Sequence, residues 1–135
     1  MGTSSRTPWQ RRNRIIAGAF GGLLVATGIG GLTAPDAAGL MSHAVPYDIF
    51  HIAAGALALA LALTRRPAAP ALFNVGFGLV DLWQLVAGLA GLFPAGLFAL
   101  RAGDHAVHLA FGVLLLACGV AGLRAGDPAA ALVRK

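Results

Sequence analysis

The sequence contains no glutamate, and its five acidic residues face ten basic ones in 135 positions. With only 11% of residues charged and 58% hydrophobic, there are too few polar side chains to give every helix a solvated face, which excludes an ordinary soluble domain. Cysteine occurs once, as Cys118 inside an apolar run, so there is no intramolecular disulfide and no CxxC redox or zinc pattern. Cys118 reads as a small packing residue. HExxH, GxSxG, a Walker loop and a dinucleotide fingerprint are all missing, and nothing supports an enzyme. The net charge of +5 raises nucleic acid as a partner. It is rejected, because the basic residues cap apolar runs and form no stripe interleaved with aromatics.

What remains is hydrophobic sequence in long runs. Four segments approach the roughly 20 residues needed to cross a hydrocarbon core about 30 Å thick. They are Ile15–Leu32, Pro46–Leu63, Ala71–Phe93 and Asp104–Leu123. The expected fold is all-α, a polytopic four-helix bundle over residues 15–123, with a basic segment 1–14 before it and a tail 124–135 after it. Pro46 and Asp104 suit helix starts. Arg6, Arg11, Arg12 and Arg14 precede the first run, Arg65 and Arg66 join the second to the third, and Arg124, Arg134 and Lys135 follow the fourth. Only Arg101 falls on the other side. Basic loops stay in the cytoplasm, so both termini are expected there. Arg11 to Arg14 followed by an apolar run has the outline of a secretory signal, but a small-residue cleavage site at the right place is lacking. Trp9 and Tyr47 are expected to anchor at the two interfaces.

Shifted by about 57 positions, the sequence meets itself. Residues 37–41 return as 94–98, His51-Ile52-Ala53-Ala54-Gly55 as His108-Leu109-Ala110-Phe111-Gly112, and Phe20-Gly21 as Phe77-Gly78. Each unit holds two helices, so the expectation is two parallel helix pairs related by a pseudo-twofold along the membrane normal, with His51 and His108 at one depth. Gly18 with Gly22, Gly88 with Gly91, and Gly112, Gly119 and Gly122 would allow close helix approach, within the chain or in self-association.

Polar residues within the runs are the candidates for chemistry. Asp81 falls near mid-membrane, where an acid costs roughly 2.5–3.5 kcal/mol, so it should face the bundle interior, hydrogen-bonded or protonated. Asn74 and Gln84 share its helix face. Asp81 is thus a candidate proton-binding site, or alternatively polar glue between helices. A second cluster sits towards the outer end: Asp48 and His51 at i, i+3, Asp104 and His108 at i, i+4, with His105 and His43 nearby. A carboxylate beside a histidine suits a pH-sensing pair, a metal ligand or an axial haem ligand, and equally a structural tie. At the helical rise His108 lies about 6 Å inside the outer surface, Gln84 about 14 Å and Asp81 about 18 Å. A polar column through Gln84 would connect them.

A basic N-terminus, four helices, and a His-hydrophobic-x-x-Gly motif in the second and fourth helices, His51–Gly55 and His108–Gly112, resemble the bacterial membrane family known as domain of unknown function 4383. More distantly the chain resembles DoxX-like proteins. The resemblance implies a bacterial inner-membrane location and no established activity. Three functions follow from the residues. The leading one is a non-enzymatic accessory, interaction or stress-related subunit, with lipid and other membrane proteins as partners and no cofactor. The second is a proton-linked carrier or sensor using Asp81, with His51 and His108 as an outer gate. The third is a redox subunit holding haem or a metal ion between His51 and His108.

Overall fold

A computed structural model of the chain describes residues 7–34 and 39–126. Arg6, Ala37, Ala38, Arg134 and Lys135, used above, lie outside them. The described residues are helical, with helices α1 (Pro8–Thr33), α2 (Val45–Leu63), α3 (Ala69–Ala90), the single turn α4 (Ala95–Phe98) and α5 (Ala102–Gly126). α1, α2, α3 and α5 are each long and apolar enough to cross a membrane. The protein is therefore a multi-pass four-helix bundle.

Of the boundaries that differ from the hydropathy reading, the start of α1 and the end of α3 do so for local reasons. α1 starts at Pro8 because Thr7 and Gln10 form a capping box. The Thr7 N–H donates to Gln10 Oε1 at 2.9 Å, and the Gln10 N–H donates to Thr7 Oγ1 at 3.3 Å. Arg11 and Arg12 are exposed on this added stretch, which extends the helix beyond its apolar part. α3 stops at Ala90, not Phe93, because Gly91 adopts a left-handed conformation (φ 66°) and the Leu92 N–H turns back to the Ala87 carbonyl at 2.9 Å. α4 and a turn at Ala99 then lead into α5.

α1 packs chiefly on α2 and α3 on α5, as two antiparallel hairpins. Glycine sets both crossings. A Cβ on Gly21 would lie 2.8 Å from the Gly55 carbonyl oxygen, and one on Gly78 would lie 2.9 Å from that of Gly112. Of the expected Gly18–Gly22 pair, Gly22 meets nothing and Gly18 makes only ordinary contact with Ala62; the working positions are Gly21 and Gly28, on the adjacent face. Gly91 is the cap of α3, whereas Gly119 and Gly122 do approach α3 or its neighbours closely.

The hairpins meet through aromatic rings and one polar node. Phe20 packs on Phe77 and Phe111 with centroids 5.5 and 5.0 Å apart, and Phe77 stacks on Phe73 and Phe50. Ala17, Ala58 and Leu115 fill the space beside them with no exposed surface. Towards the end bearing Arg11, Arg65 and Arg124, fully buried Asn13 donates to the Cys118 carbonyl at 2.9 Å and to the Trp9 carbonyl at 3.1 Å. Asn74 in turn donates to Asn13 Oδ1 at 2.7 Å. One amide pair therefore ties α1, α3 and α5 together.

At the other end the α1–α2 linker docks on the start of α5. Arg101 donates to the Gly39 carbonyl, the Gly103 N–H to the Leu40 carbonyl, and Ser42 Oγ to the Phe98 carbonyl.

Candidate functional site

Between the hairpins, on the linker side of the phenylalanine cluster, lies a cavity of about 200 Å³. All four spanning helices line it. α1 contributes Phe20, Leu24 and Thr27, α2 contributes Tyr47 and His51, α3 contributes Phe77, Asp81 and Gln84, and α5 contributes Val107, His108 and Phe111. Heptad-like spacing explains the placement: residues 77, 81 and 84 lie one above another on a helix face, as do 20, 24 and 27. Leu23 and Thr27 on α1 and Val107 on α5 are exposed at the rim. The mouth therefore opens sideways between α1 and α5.

The polar residues of the cavity are deeply buried: Tyr47 is 2% exposed, Gln84 2%, Asp81 3%, His108 3% and His51 8%. Tyr47 Oη and His108 Nε2 are hydrogen-bonded at 2.8 Å, and the Tyr47 ring lies 4.1 Å from that of His51, centroid to centroid. Against this ordered pair stand four atoms that make no hydrogen bond: Asp81 Oδ2, Gln84 Oε1, His51 Nδ1 and His108 Nδ1. Buried polar groups are ordinarily satisfied, and leaving one unmade costs about 1–3 kcal/mol. Asp48 Oδ2, Asn74 Oδ1, Asp104 Oδ1 and His105 Nδ1, on residues away from the cavity, are likewise without a hydrogen bond.

The structure divides the polar residues picked out in the sequence into three groups. His51, His108, Asp81 and Gln84 converge on the cavity, despite their different depths. Asn74 does not join Asp81 and Gln84; it belongs to the Asn13 node. The outer carboxylates do not pair with the histidines as expected. Asp104 Oδ2 accepts from the Arg101 N–H at 2.8 Å and the Ser42 N–H at 3.0 Å, capping α5 and holding the linker. The Asp48 carboxylate sits against Gly31 of α1 and the His105 ring against Gly88 of α3, each wedged inside its own hairpin. His108 takes Tyr47 as its partner instead of Asp104.

Tyr47 and Asn13 are the residues that sequence reasoning misplaced. Tyr47 is a buried member of the site, not an interface anchor; its position four residues before His51 on one helix face was the available signal. Asn13 continues the buried stripe of Ala17, Phe20 and Leu24 backwards by one turn. Trp9 is half-buried and receives the Arg12 guanidinium 5.1 Å from its ring centroid.

The space beside His51 and His108 is the same small cavity. His108 Nε2 is engaged by Tyr47, and about 200 Å³ is smaller than the roughly 300–1,000 Å³ of ordinary ligand pockets. Among the described residues no three His, Cys, Asp or Glu side chains are grouped to hold a metal ion.

Fold and site together define a multi-pass membrane helix bundle with a largely apolar cavity between its helices that a few polar residues line. No protein-family model, no curated protein and no solved structure matches the chain.

Proposed function

We propose that the protein is a proton-linked carrier or sensor of a bacterial cytoplasmic membrane, with Asp81 as the proton-binding group and both termini in the cytoplasm. The observation that carries this reading is a buried acid within a spanning helix, Asp81, lining one cavity together with Gln84, His51 and His108. Residues that merely secured the bundle would be bonded across helices, as Asn13 and Asn74 are. Asp81 and Gln84 are buried like that pair but line the cavity, which favours a working site over the accessory-subunit reading.

Two further observations support the proposal. Arg11, Arg12, Arg14, Arg65, Arg66 and Arg124 gather at the end of the bundle closed by the Asn13 node, and Arg101 lies at the opposite end. That is the charge asymmetry of a cytoplasmic and an external face. The helix contacts also repeat at an offset of about 57 positions. Gly21 meets Gly55 as Gly78 meets Gly112, Gly31 meets Asp48 as Gly88 meets His105, and Gly18 meets Ala62 as Val75 meets Gly119. On this reading the cavity lies on a pseudo-twofold axis, with Phe20 opposite Phe77 and His51 opposite His108. Asp81 and Gln84 then stand where the first repeat has Leu24 and Thr27. The second repeat supplies the proton site, and the first supplies its apolar wall.

The test is an infrared difference spectrum of the reconstituted protein between acid and alkaline pH. A carbonyl band of a protonated acid should appear in the parent protein and be missing in Asp81→Asn. An identical spectrum in the mutant would remove Asp81 from the role.

A further inference from the structure

We infer that the ligand of the cavity is a compact organic monocation with an apolar body, bound at the Asp81 carboxylate in exchange for a proton. The inference rests on the proposed role of Asp81 and adds the chemistry of what competes with the proton.

Charge comes first. Asp81 is the one acidic side chain lining the cavity, and no Lys or Arg is among the lining residues. An ionised carboxylate taken out of water needs a counter-charge, and apart from a protonated His51 or His108 the cavity provides none of its own. Either a proton or an incoming cation must supply it. An anionic ligand would meet that carboxylate with no basic group to offset the repulsion.

The walls decide which cation. Phe20, Phe77, Phe111 and Tyr47 surround the cavity, and aromatic faces attract large, weakly hydrated cations such as quaternary ammonium groups. A small inorganic ion needs several oxygen ligands to replace its water, which these walls lack. A cavity of about 200 Å³ suits a head group with short alkyl arms. The rim at Leu23, Thr27 and Val107 continues into an apolar groove along α1 and α5, past Ile16, Ala19 and Leu114, where a longer alkyl tail would lie.

The exchange balances simply. The Asp81 O–H bond breaks, its proton leaves to solvent, and the carboxylate pairs with the cation, so one proton is released for each cation bound. The other titratable groups facing Asp81 across the cavity are Tyr47 and His51 from α2 and His108 from α5; the lining residues of α1 and of α3 itself add none. Protonating either histidine would add positive charge beside the site. Acid therefore disfavours the cation at every one of these groups except Tyr47, which stays neutral.

The experiment compares tetraethylammonium with its uncharged carbon isostere, 3,3-diethylpentane, on the full chain in lipid nanodiscs, by calorimetry in buffers of different ionisation heat. Tetraethylammonium should bind at alkaline pH with release of one proton, and the isostere at least tenfold more weakly. Below the titration of Asp81 the apparent Kd of the cation should rise about tenfold per pH unit, as a one-proton competition requires. Asp81→Asn should lose the cation and Asp81→Glu should keep it. Equal binding of the two probes, or cation binding unchanged in Asp81→Asn, would overturn the inference, and neither outcome depends on a mutant that fails to fold, since the first uses the parent protein. If the Asp81 infrared band responds to pH and tetraethylammonium does not bind, the cation is wrong and the proton site stands. If that band is missing in the parent, the proton site itself is wrong.

Discussion

Three buried acids in this bundle meet three different fates. Asp104 accepts from two backbone N–H groups through Oδ2 and serves the fold. Asp48 lies against Gly31 within the first hairpin. Asp81 alone of the three lines the cavity, and this placement, not burial, marks it out. The Tyr47–His108 bond has a complementary role. By occupying Nε2 it fixes the imidazole ring and leaves Nδ1 as the nitrogen without a protein partner. Tyr47→Phe keeps the ring packing on His51 and Phe98 and removes only the hydroxyl. We expect it to cost about 1 kcal/mol of stability, the usual worth of such a bond. It should also shift the ring nitrogen resonances of His108, measured in labelled protein. Unchanged His108 signals would mean that the bond is not formed.

Glycine placement governs how the helices sit as elements. Gly28 faces the backbone of Asp48 and the side chain of Ile52 at a separation with no room for a Cβ, whereas Gly22, six residues earlier on the same helix, faces open space. Gly28→Val should therefore push α1 from α2 and destabilise the bundle by roughly 2–4 kcal/mol, in the range of severe overpacking. Gly22→Val should be nearly silent. Thermal unfolding of the two variants in one detergent provides the comparison, and similar losses would contradict this register. The start of α1 and the end of α3 show how a span and a helix differ. Hydropathy locates the part that lipid can cover, while capping at Thr7 and Gly91 decides where the backbone begins and stops coiling.

Across the whole molecule, the hairpins are tied at both ends, by the docked linker at one and by the Asn13 node at the other. The Asn13–Asn74 amides and the Cys118 carbonyl close the end carrying most of the arginines, and the cavity lies beyond the phenylalanine cluster from it. Asn13→Ala would break the tie between α1 and α5 and leave the Asn74 amide only the residue 13 backbone carbonyl as acceptor. Cys118, the single cysteine, sits at the same level and reports on it directly. Its labelling by a membrane-permeant maleimide should rise several-fold in Asn13→Ala. No change would mean that the node does not hold this end closed.

Much of the architecture was determined by the sequence alone. Four apolar runs without compensating charge leave no soluble alternative, and lipid demands that each run satisfy its own backbone as a helix. Asp81 was legible for the same reason, since an acid inside such a run is costly wherever the run packs. Side-chain partnership across helices was not legible, because it depends on which faces meet and how closely. That step, decided by Gly21, Gly28, Gly55, Gly78 and Gly112, drew Asn74 away to Asn13, turned Asp104 into a cap, and buried Tyr47 against His108. It also placed both histidines around the same space as the acid. Composition fixes the solvent and the number of crossings; only the packing of one helix on another decides which polar atoms are satisfied and which are left facing the cavity.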